Sequence, residues 1–345
     1  MSNTYLPTLE NQEQAITISA STGRIDTHDI DEYSQTTPPW DVVLRQASFG
    51  QFQGTTEFVQ IGGMLMYREL WTRRVLVNGG SPAGFYVVGG PISPKTDIHW
   101  CGSSLDRQRQ AFGRPGGEVD FVIPEGGRHV VLLIPSGLLM SILDEETRTE
   151  LASDARHHLV DSGALGATFL GVMDTLISKY LARPELLNNA LECRALEQWL
   201  MEFVVRCIFA RNSQRIRQSV CERHKTFRRA VDYCDGLSGP APVWQVASAA
   251  GISQRQLERV FAKTLGISPI RYMQQQRLNA VHRALRAASR GSATVTEVAQ
   301  HWGFTELGRF AGEYTRLFGE SPSATLAATR RPPPKRLADT LVQRQ

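Results

Sequence analysis

The stretch that decides the fold is HWGFTELGRFAGEYTRLFGESPSATL, which runs from His301 to Leu326 in this 345-residue chain. Gly303 precedes a run with apolar residues at helical spacing, and Gly319 and a Ser-Pro pair close that run. Glycine readily adopts the left-handed backbone that ends a helix, and proline is favoured in the first turn of the next one. The stretch therefore predicts a tight turn, a helix and the start of a further helix.

The same pattern occurs once earlier in the chain. Residues 246–253 (VASAAGIS) match residues 298–305 (VAQHWGFT), at an offset of 52. Residues 261–269 (FAKTLGISP) match residues 314–322 (YTRLFGESP), at an offset of 53, so the second copy has one extra residue after its turn. Each copy predicts a helix, a turn and a second helix, which together form a helix-turn-helix unit.

The second helix of each unit has a predicted cap and a predicted buried side. Ser253 and Thr305 are residue types that cap helix N-termini, and we expect each to cap the helix that follows it. The apolar residues of the two helices recur at helical spacing: Leu257, Val260 and Phe261 in the first, Phe310, Tyr314 and Leu317 in the second. Residues 269–288 predict one connecting helix about 30 Å long. Successive major-groove faces are roughly 34 Å apart, so one chain can present two helices to adjacent grooves.

The charge is distributed unevenly. Residues 1–220 hold 19 Lys and Arg against 25 Asp and Glu, a net charge of −6. Residues 221–331 hold 16 against 8, a net charge of +8, and residues 332–345 add +2. A basic segment with two helix-turn-helix units favours DNA as its partner, against the alternative of an inert helical bundle with a solvated basic surface.

These residues carry a family resemblance. ISQRQLERVFAKTLGISPIRYMQQQRLNAVHRALR (252–286) and VAQHWGFTELGRFAGEYTRLFGESPSATL (298–326) resemble the DNA-binding domain of AraC/XylS-type bacterial transcription regulators. The second of these stretches is most similar to the XylS and ethanolamine-regulator branch of the family. The resemblance implies an activator of transcription that is controlled by a small-molecule effector, is usually dimeric, binds double-stranded promoter DNA and recruits RNA polymerase.

The first unit is expected to read bases. On the side of its second helix opposite the core lie Arg255, Glu258 and Arg259, and matching the family pattern places the same three in the groove. Arginine pairs with guanine O6 and N7, and glutamate accepts from cytosine N4. Ser253 and Gln254, at the start of this helix, complete the predicted set. A phosphate contact or a salt bridge within the helix is the alternative role for Arg259.

At the positions that match the exposed face of the first unit, the second unit has Gly308, Ala311, Gly312 and Thr315, and it lacks the polar residues that are common there in relatives. Its predicted DNA-facing residues are Thr305, Glu306, Leu307, Gly308, Arg309 and Ala311. Such a helix can approach the duplex closely, touch a thymine methyl group and bind phosphate through its N-terminal amides. We therefore expect it to position the protein and respond to DNA shape.

The sequence predicts an α+β multidomain protein. The expected parts are a mobile segment (1–39), a β domain (40–142), a helical dimerisation and linker region (143–218), an all-α double helix-turn-helix domain (224–327) and a basic proline-rich tail (328–345). Short apolar runs between glycines and prolines indicate antiparallel strands in the β domain. The resemblance implies that this domain is a cupin-like barrel that binds the effector.

The predicted effector-binding residues are Tyr67, Arg68, Tyr86, His99 and Trp100, for each of which core packing or surface placement is the alternative. Cupins that bind metal or catalyse usually show an HxH motif followed by Glu, whereas this segment has only the isolated His99 and His129. We therefore expect a pocket without metal, cofactor or catalytic residues. A metal site at His99-Trp100-Cys101 is a weaker alternative, because no cluster of further ligands lies nearby.

One helix of the 143–218 region has an apolar stripe formed by Leu196, Leu200, Phe203, Val204, Cys207 and Ile208. This stripe predicts either a dimer seam within residues 190–211 or packing on the β domain. Residues 211–225 are expected to link the two domains.

The rest of the sequence favours a cytoplasmic protein. The first thirty residues lack the basic start and apolar core of a secretory signal, and no apolar run is long enough to span a membrane. The five cysteines form no CxxC pair, which suits a reducing compartment. Two alternatives to a transcription regulator stay open: a cupin-type or DNA-modifying enzyme that carries a borrowed DNA-binding module, and a partner-binding module that has lost DNA recognition.

Overall fold

A computed structural model describes residues 20–36, 39–93, 96, 98–153, 158–209, 214–216, 222–288 and 293–328. The strands are β1 Ala20–Thr27, β2 Asp41–Gln46, β3 Gly54–Ile61, β4 Met64–Trp71, β5 Val75–Gly80, β6 Phe85–Pro91, β7 Ile98–Trp100, β8 Ser103–Leu105, β9 Arg109–Gly113, β10 Glu118–Ile123, β11 Gly127–Pro135, β12 His158–Asp161 and β13 Gln214–Ile216. They form an eight-stranded sheet in the order β1-β3-β4-β11-β6-β9-β12-β13 and a five-stranded sheet in the order β2-β5-β10-β7-β8.

The expected β domain is present, and its strands form two antiparallel sheets rather than one closed barrel. Side chains of both sheets share an apolar core, which includes Leu44, Val77 and Val119 from the smaller sheet and Trp71 and Ala111 from the larger one. The apolar runs EFVQI, MLMYREL, RVLV, GFYVVGG, VDFVIP and HVVLLIP correspond to β3, β4, β5, β6, β10 and β11. These short runs therefore locate six of the strands, but they do not determine how the sheets close.

Residues 20–36 differ from the expectation of mobility for residues 1–39. Strand β1 pairs with β3 along its whole length, and residues Ile30–Thr36 form helix α1. Tyr33 on α1 is fully buried among Phe52 and Trp71. The strand ASTGRIDT lies at the sheet edge and is largely polar, so no apolar alternation marks it in the sequence. Residues 1–19 of the predicted mobile segment lie outside the described residues.

Four helices cover the outer face of the larger sheet: α2 Ser136–Ile142, α3 Glu145–Ser153, α4 Gly163–Ala182 and α5 Ala190–Val204, with a 3-10 helix at Pro184–Asn188 and a π-helical turn at Val205–Phe209. Leu196, Leu200, Val204 and Cys207 of the predicted stripe are buried in the same core as strands β3, β4 and β11. Of the two roles predicted for this stripe, packing on the chain's own β domain is the one that these four residues adopt. Most of the predicted link 211–225 lies outside the described residues.

The C-terminal domain consists of seven helices in the described residues: α6 Glu222–Asp235, α7 Val243–Ala249, α8 Gln254–Leu265, α9 Pro269–Ala287, α10 Val295–His301, α11 Leu307–Phe318 and α12 Pro322–Ala328. Gly251 and Gly303 occupy the two turns with φ of 71° and 76°. A β-carbon at Gly303 would lie 2.5 Å from Cδ of Pro240, so glycine is required there for space as well as for conformation. The predicted repeat, with an extra residue in its second turn, is confirmed.

Helix α9 connects the two units and contributes to both of their cores. Tyr272 packs with Leu257 and Phe261 of α8. Leu278, Val281 and Leu285 pack with Phe310, Tyr314 and Leu317 of α11. At 19 residues, α9 is roughly 28 Å long, which agrees with the predicted connecting helix. The same helix therefore fixes the relative position of the two units.

Candidate DNA interface and ligand cavity

Helix α8 presents a polar, exposed face. Ser253 is its N-cap: the hydroxyl accepts from the amide of Gln256 at 3.3 Å, and the Gln256 side chain accepts from the amide of Ser253 at 3.0 Å. Arg255, Glu258 and Arg259 are exposed on the face opposite Leu257. In the part of the chain that the structure describes, these three side chains form no hydrogen bond or ion pair. Their exposure agrees with the predicted outer face of this helix, and their contact with DNA stays a prediction.

The exposed face of helix α11 carries few side chains. Gly308 and Gly312 are exposed, and a β-carbon at either would meet nothing within 4 Å. Ala311 is half-buried against the core of the second unit, so less of it faces outward than predicted. Arg309 is 69% exposed and pairs with Glu313 at 3.0 Å, an ion pair that phosphate would have to displace. The helix offers shape and a close backbone approach more than hydrogen-bonding side chains.

The start of α11 differs from the prediction. Its N-cap residue is Glu306, which makes no side-chain cap, and Leu307 is the first helical residue. Thr305 was expected to cap this helix, but the extra residue in the second turn moves the helix start one position away from it. The first amides of α11 therefore have no side-chain acceptor at the cap position, in contrast to α8. Thr305 and Glu306 are both exposed beside them.

Donors from the β domain bind the last carbonyls of both exposed helices. Arg74, in the turn before β5, donates to the carbonyl oxygen of Leu265 at the end of α8 at 2.7 Å. The Gln46 side chain and the Gly50 amide donate to the carbonyl of Leu317 in α11 at 2.5 and 3.1 Å. These carbonyls have no partner within their own helix, so the β domain completes both C-termini. The orientation of both exposed helices is thus tied to the β domain.

Helix α9 is tied to the β domain as well. Asn279 accepts from the amide of Gln46 at 2.9 Å and donates to its carbonyl at 3.0 Å. The ring of Phe49 lies 4.6 Å from the guanidinium of Arg271 and 4.3 Å from that of Arg316. The segment that follows β2 therefore contacts α9 and α11 together.

A buried histidine joins α9 to the residues around α1. Nδ1 of His282 lies 2.6 Å from Asp31 and Nε2 lies 3.3 Å from Asp29, and Glu320 is 3.8 Å from Nε2. Burial opposes a charge on His282, but hydrogen bonds to these carboxylates outweigh it and raise its pKa well above the ordinary value. Because both ring nitrogens face carboxylates, the cluster is an ion pair around an imidazolium rather than an open ligand set. It links the two domains electrostatically.

The β domain contains a cavity of about 50 Å³ between its two sheets. This volume is several times what one water molecule needs. The walls are almost entirely apolar and rich in aromatic rings, and they include Trp40, Leu44, Tyr67, Trp71, Val77, Trp100, Phe121 and Val131. Glu69 and His129 form the polar part of the lining.

Glu69 and His129 lie opposite each other in the pairing of β4 with β11. One carboxylate oxygen of Glu69 lies 2.8 Å from Nε2 of His129, and the other accepts from the hydroxyl of Tyr33 at 2.5 Å. Burial and the neighbouring carboxylate raise the pKa of Tyr33 well above its ordinary value, so its hydroxyl stays protonated as the donor. Nδ1 of His129 is buried and has no hydrogen-bond partner among the described residues. The cavity thus holds a carboxylate and a buried imidazole nitrogen.

The five residues predicted for the pocket are not brought together. Tyr67 and Trp100 line the cavity. Arg68 instead pairs with Glu57 and Asp174 at 2.5 and 2.6 Å, and thereby holds α4 against the sheet. Tyr86 stacks on Phe112 in the core beneath the helices, and His99 borders a different cleft, next to His224.

Strand alternation explains this outcome. Neighbouring residues of a strand point to opposite faces, so Tyr67 and Arg68 cannot both line one cavity. The same rule places Glu69 and Trp71 on the face of Tyr67, and applied to MLMYREL it would have found Glu69. Nothing in the sequence indicates that His129, on the seventh strand after β4, pairs with Glu69.

Two further observations concern metal and membrane sites. Burial raises the pKa of Cys101 to about 12, so the thiol of the His99-Trp100-Cys101 segment is protonated and a poor metal ligand. None of the described helices combines the length and the apolar character needed to cross a membrane.

Comparisons with known proteins concern about a third of the chain. A helix-turn-helix domain family matches residues 246–328. The chain is 44% identical over 100 residues to the probable thc operon regulatory protein of Rhodococcus erythropolis, a match that covers 29% of this chain and 30% of that protein. It is 34% identical over 112 residues to the XylDLEGF operon transcriptional activator 2 of Pseudomonas putida, covering 32% of this chain and 71% of that protein.

A solved structure, that of a probable AraC family transcriptional regulator from Rhodopseudomonas palustris CGA009, is also similar. It is 32% identical, with 31% of this chain and 98% of that chain covered and a TM-score of 0.28. All three matches cover about a third of this chain. The repeated helix-turn-helix units and the match to most of the Pseudomonas putida activator show that the chain belongs to the AraC/XylS family of transcription regulators.

Proposed function

We propose that this protein is a sequence-specific DNA-binding transcription regulator, an activator that responds to a small molecule. The observation that carries the proposal is the pair of exposed helices, α8 and α11, joined by the 19-residue helix α9. A 28 Å connector suits major grooves that recur roughly every 34 Å. The named relatives are regulators and activators of operons, which favours this function over the enzyme considered above.

The two helix-turn-helix units recognise DNA in different ways. Arg255 and Arg259 of α8 have no intramolecular partner in the described residues, so they reach bases or phosphates without breaking an existing contact. Glu258 lies beside them as an acceptor for cytosine. Helix α11 brings Leu307, Gly308 and the half-buried Ala311 close to the duplex and responds to its shape. The expected operator therefore has one half read by hydrogen bonds and one half that tolerates substitutions preserving shape.

The effector binds in the β-domain cavity, and two elements transmit its presence. Strand β2 places Val42 and Leu44 in the cavity wall, and its last residue, Gln46, holds Asn279 and Leu317. Helix α1 places Tyr33 on Glu69 and Asp31 on His282. A shift of either element on ligand binding changes the contacts that orient α8 and α11.

The proposal includes a homodimer, a contact with RNA polymerase and a cytoplasmic location. The resemblance to AraC-type regulators supports the first two. Leu196, Leu200, Val204 and Cys207 of the apolar stripe pack in the chain's own core, so the proposed dimer does not rest on a seam along that stripe. Sedimentation of the purified chain at several concentrations tests the dimer.

The test of the function is selection of genomic fragments by the purified full-length protein at a stated salt concentration. The proposal expects a few fragments to be enriched, each from a region upstream of an operon and each sharing an asymmetric motif. Retention of all fragments alike, or none, would show that the exposed helices do not read sequence.

A further inference from the structure

We propose that the cavity of the β domain takes a small apolar amine, bound as an ammonium ion. This inference rests on the proposed function, since the cavity is the site at which an effector would act. The identity of the ligand follows from three features of the lining: its aromatic walls, its buried acceptors and the absence of lysine and arginine from the described residues that form it.

The aromatic walls suit both the apolar body and the charge of such a ligand. Five aromatic side chains line the cavity: Trp40, Tyr67, Trp71, Trp100 and Phe121. The faces of aromatic rings attract cations, indole most strongly. Trp100 and Phe121 stack on each other with centroids 5.5 Å apart, and Trp40 meets Phe121 edge-on at 6.0 Å. The rings therefore form a contiguous wall rather than isolated contacts.

The polar end of the cavity offers acceptors that can take further hydrogen bonds. Glu69 is 6% exposed, and each of its oxygens accepts one hydrogen bond, from Tyr33 or from His129. A carboxylate oxygen has room for a second bond. His129 is also 6% exposed, and its buried Nδ1 has no hydrogen-bond partner among the described residues. An ammonium group has three donors, which can satisfy Nδ1 and Glu69 together.

A carboxylate ligand of the same size does not fit. The described residues that line the cavity include neither lysine nor arginine. An anion there would be buried beside Glu69 without a counter-charge, and burial of an unpaired charge is strongly unfavourable. The cavity therefore selects against acids by repulsion as well as for amines by attraction.

Matched probes test the proposal on the full-length protein. Titration calorimetry would compare benzylamine with benzoate and butylamine with butyrate, which differ chiefly in the charge of the head group. We expect the amines to bind and the acids to bind at least tenfold more weakly. Glu69→Gln should weaken amine binding by roughly tenfold to a hundredfold, because a charged hydrogen bond becomes a neutral one. Glu125→Gln, which removes a charge from an exposed turn of the same domain, should leave binding unchanged.

Equal or tighter binding of the acids, or no binding of any amine, would overturn the proposal. Amine binding that Glu69→Gln does not weaken would also overturn it, provided that the variant keeps the melting temperature of the wild type. Failure here is distinguishable from failure of the proposed function, because fragment selection by the unliganded protein reports DNA binding independently of the probes.

Discussion

The side chain of Asn279 on α9 pairs with both main-chain groups of Gln46 at the end of β2, at 2.9 and 3.0 Å. A side-chain amide thus takes the place that a neighbouring strand would occupy. Both residues are buried, Asn279 at 3% exposure and Gln46 at 1%. The β domain and the DNA-binding domain are therefore joined by hydrogen bonds that water cannot replace while the domains stay docked.

Asn279→Leu should uncouple the two domains. The substitution leaves the amide and carbonyl of Gln46 buried without partners, at a cost of about 1–3 kcal/mol for each. We expect a lower melting temperature and a loss of effector dependence in DNA binding, while ligand binding to the cavity persists. Gln198→Leu, an amide-to-leucine change on the exposed face of α5, is the control. Effector-dependent DNA binding in Asn279→Leu would show that the contact does not transmit the signal.

The His282 cluster should make domain docking depend on pH. The raised pKa of His282 means that its contribution is complete below about pH 6.5 and is lost as pH rises through the raised value. The pKa of Asp29 is lowered to about 2 because hydrogen bonding and charge from His282 outweigh burial, so its contribution is lost as pH falls below about 4. Asp31, Glu320 and Arg286 complete the charged groups around it.

His282→Gln should therefore destabilise the protein most between about pH 4 and 6.5, by about 3 kcal/mol. Melting temperatures of the wild type and the variant, measured from pH 4 to pH 9, check this. The difference between them should narrow toward alkaline pH. A difference that widens as pH rises would mean that the histidine is neutral in the folded protein.

Gly312→Leu tests whether α11 lies close to DNA. A β-carbon at this position meets nothing within 4 Å, and leucine favours a helix over glycine by roughly 1 kcal/mol, so the free protein should be slightly more stable. DNA affinity should fall by roughly tenfold, about 1.4 kcal/mol, because the new side chain fills the gap to the duplex. Ala195→Leu on the exposed face of α5 is the matched control. Unchanged affinity for Gly312→Leu would remove α11 from the interface.

Arg68→Met tests the assignment of the two faces of β4. Arg68 points toward α4, away from the cavity, so amine binding should stay within twofold of the wild type. Stability should fall by roughly 1 kcal/mol, because Glu57 and Asp174 lose their partner in a half-buried setting. Titration calorimetry with the amine probes would measure this variant together with Tyr67→Phe, which changes a residue that lines the cavity. Altered amine binding by Arg68→Met would place Arg68 in the ligand site.

The sequence predicts the DNA-binding domain well because its signals are local. Gly251, Gly303 and the capping Ser253 act within a few residues of themselves, so spacing alone locates four helices and two turns. The start of α11 is the exception, because one inserted residue moves the N-cap position from Thr305 to Glu306. The spacing of the repeat does not show whether such a residue lengthens the turn before or after Thr305.

The cavity was harder to predict because it is assembled from distant strands. Glu69 and His129 lie opposite each other only because of the register between β4 and β11. Tyr33, which donates to Glu69, lies on a helix in a segment whose sequence is polar and shows no periodic pattern. Two of the five predicted pocket residues line the cavity, and strand alternation would have excluded Arg68. Gln46 and Arg74 contact the helices of the C-terminal domain only because the two domains pack together, and no local sequence pattern predicts that packing.

The most direct test of the central claim, that α8 reads the bases, is fragment selection with Arg255→Ala and Arg259→Ala. Each variant should lose selectivity at one position of the motif, by about 1–3 kcal/mol, while the rest of the motif persists. Arg194→Ala, an exposed arginine on α5, should select the wild-type motif. If both α8 variants select that motif with wild-type affinity at the same salt concentration, the first helix-turn-helix unit does not read the operator.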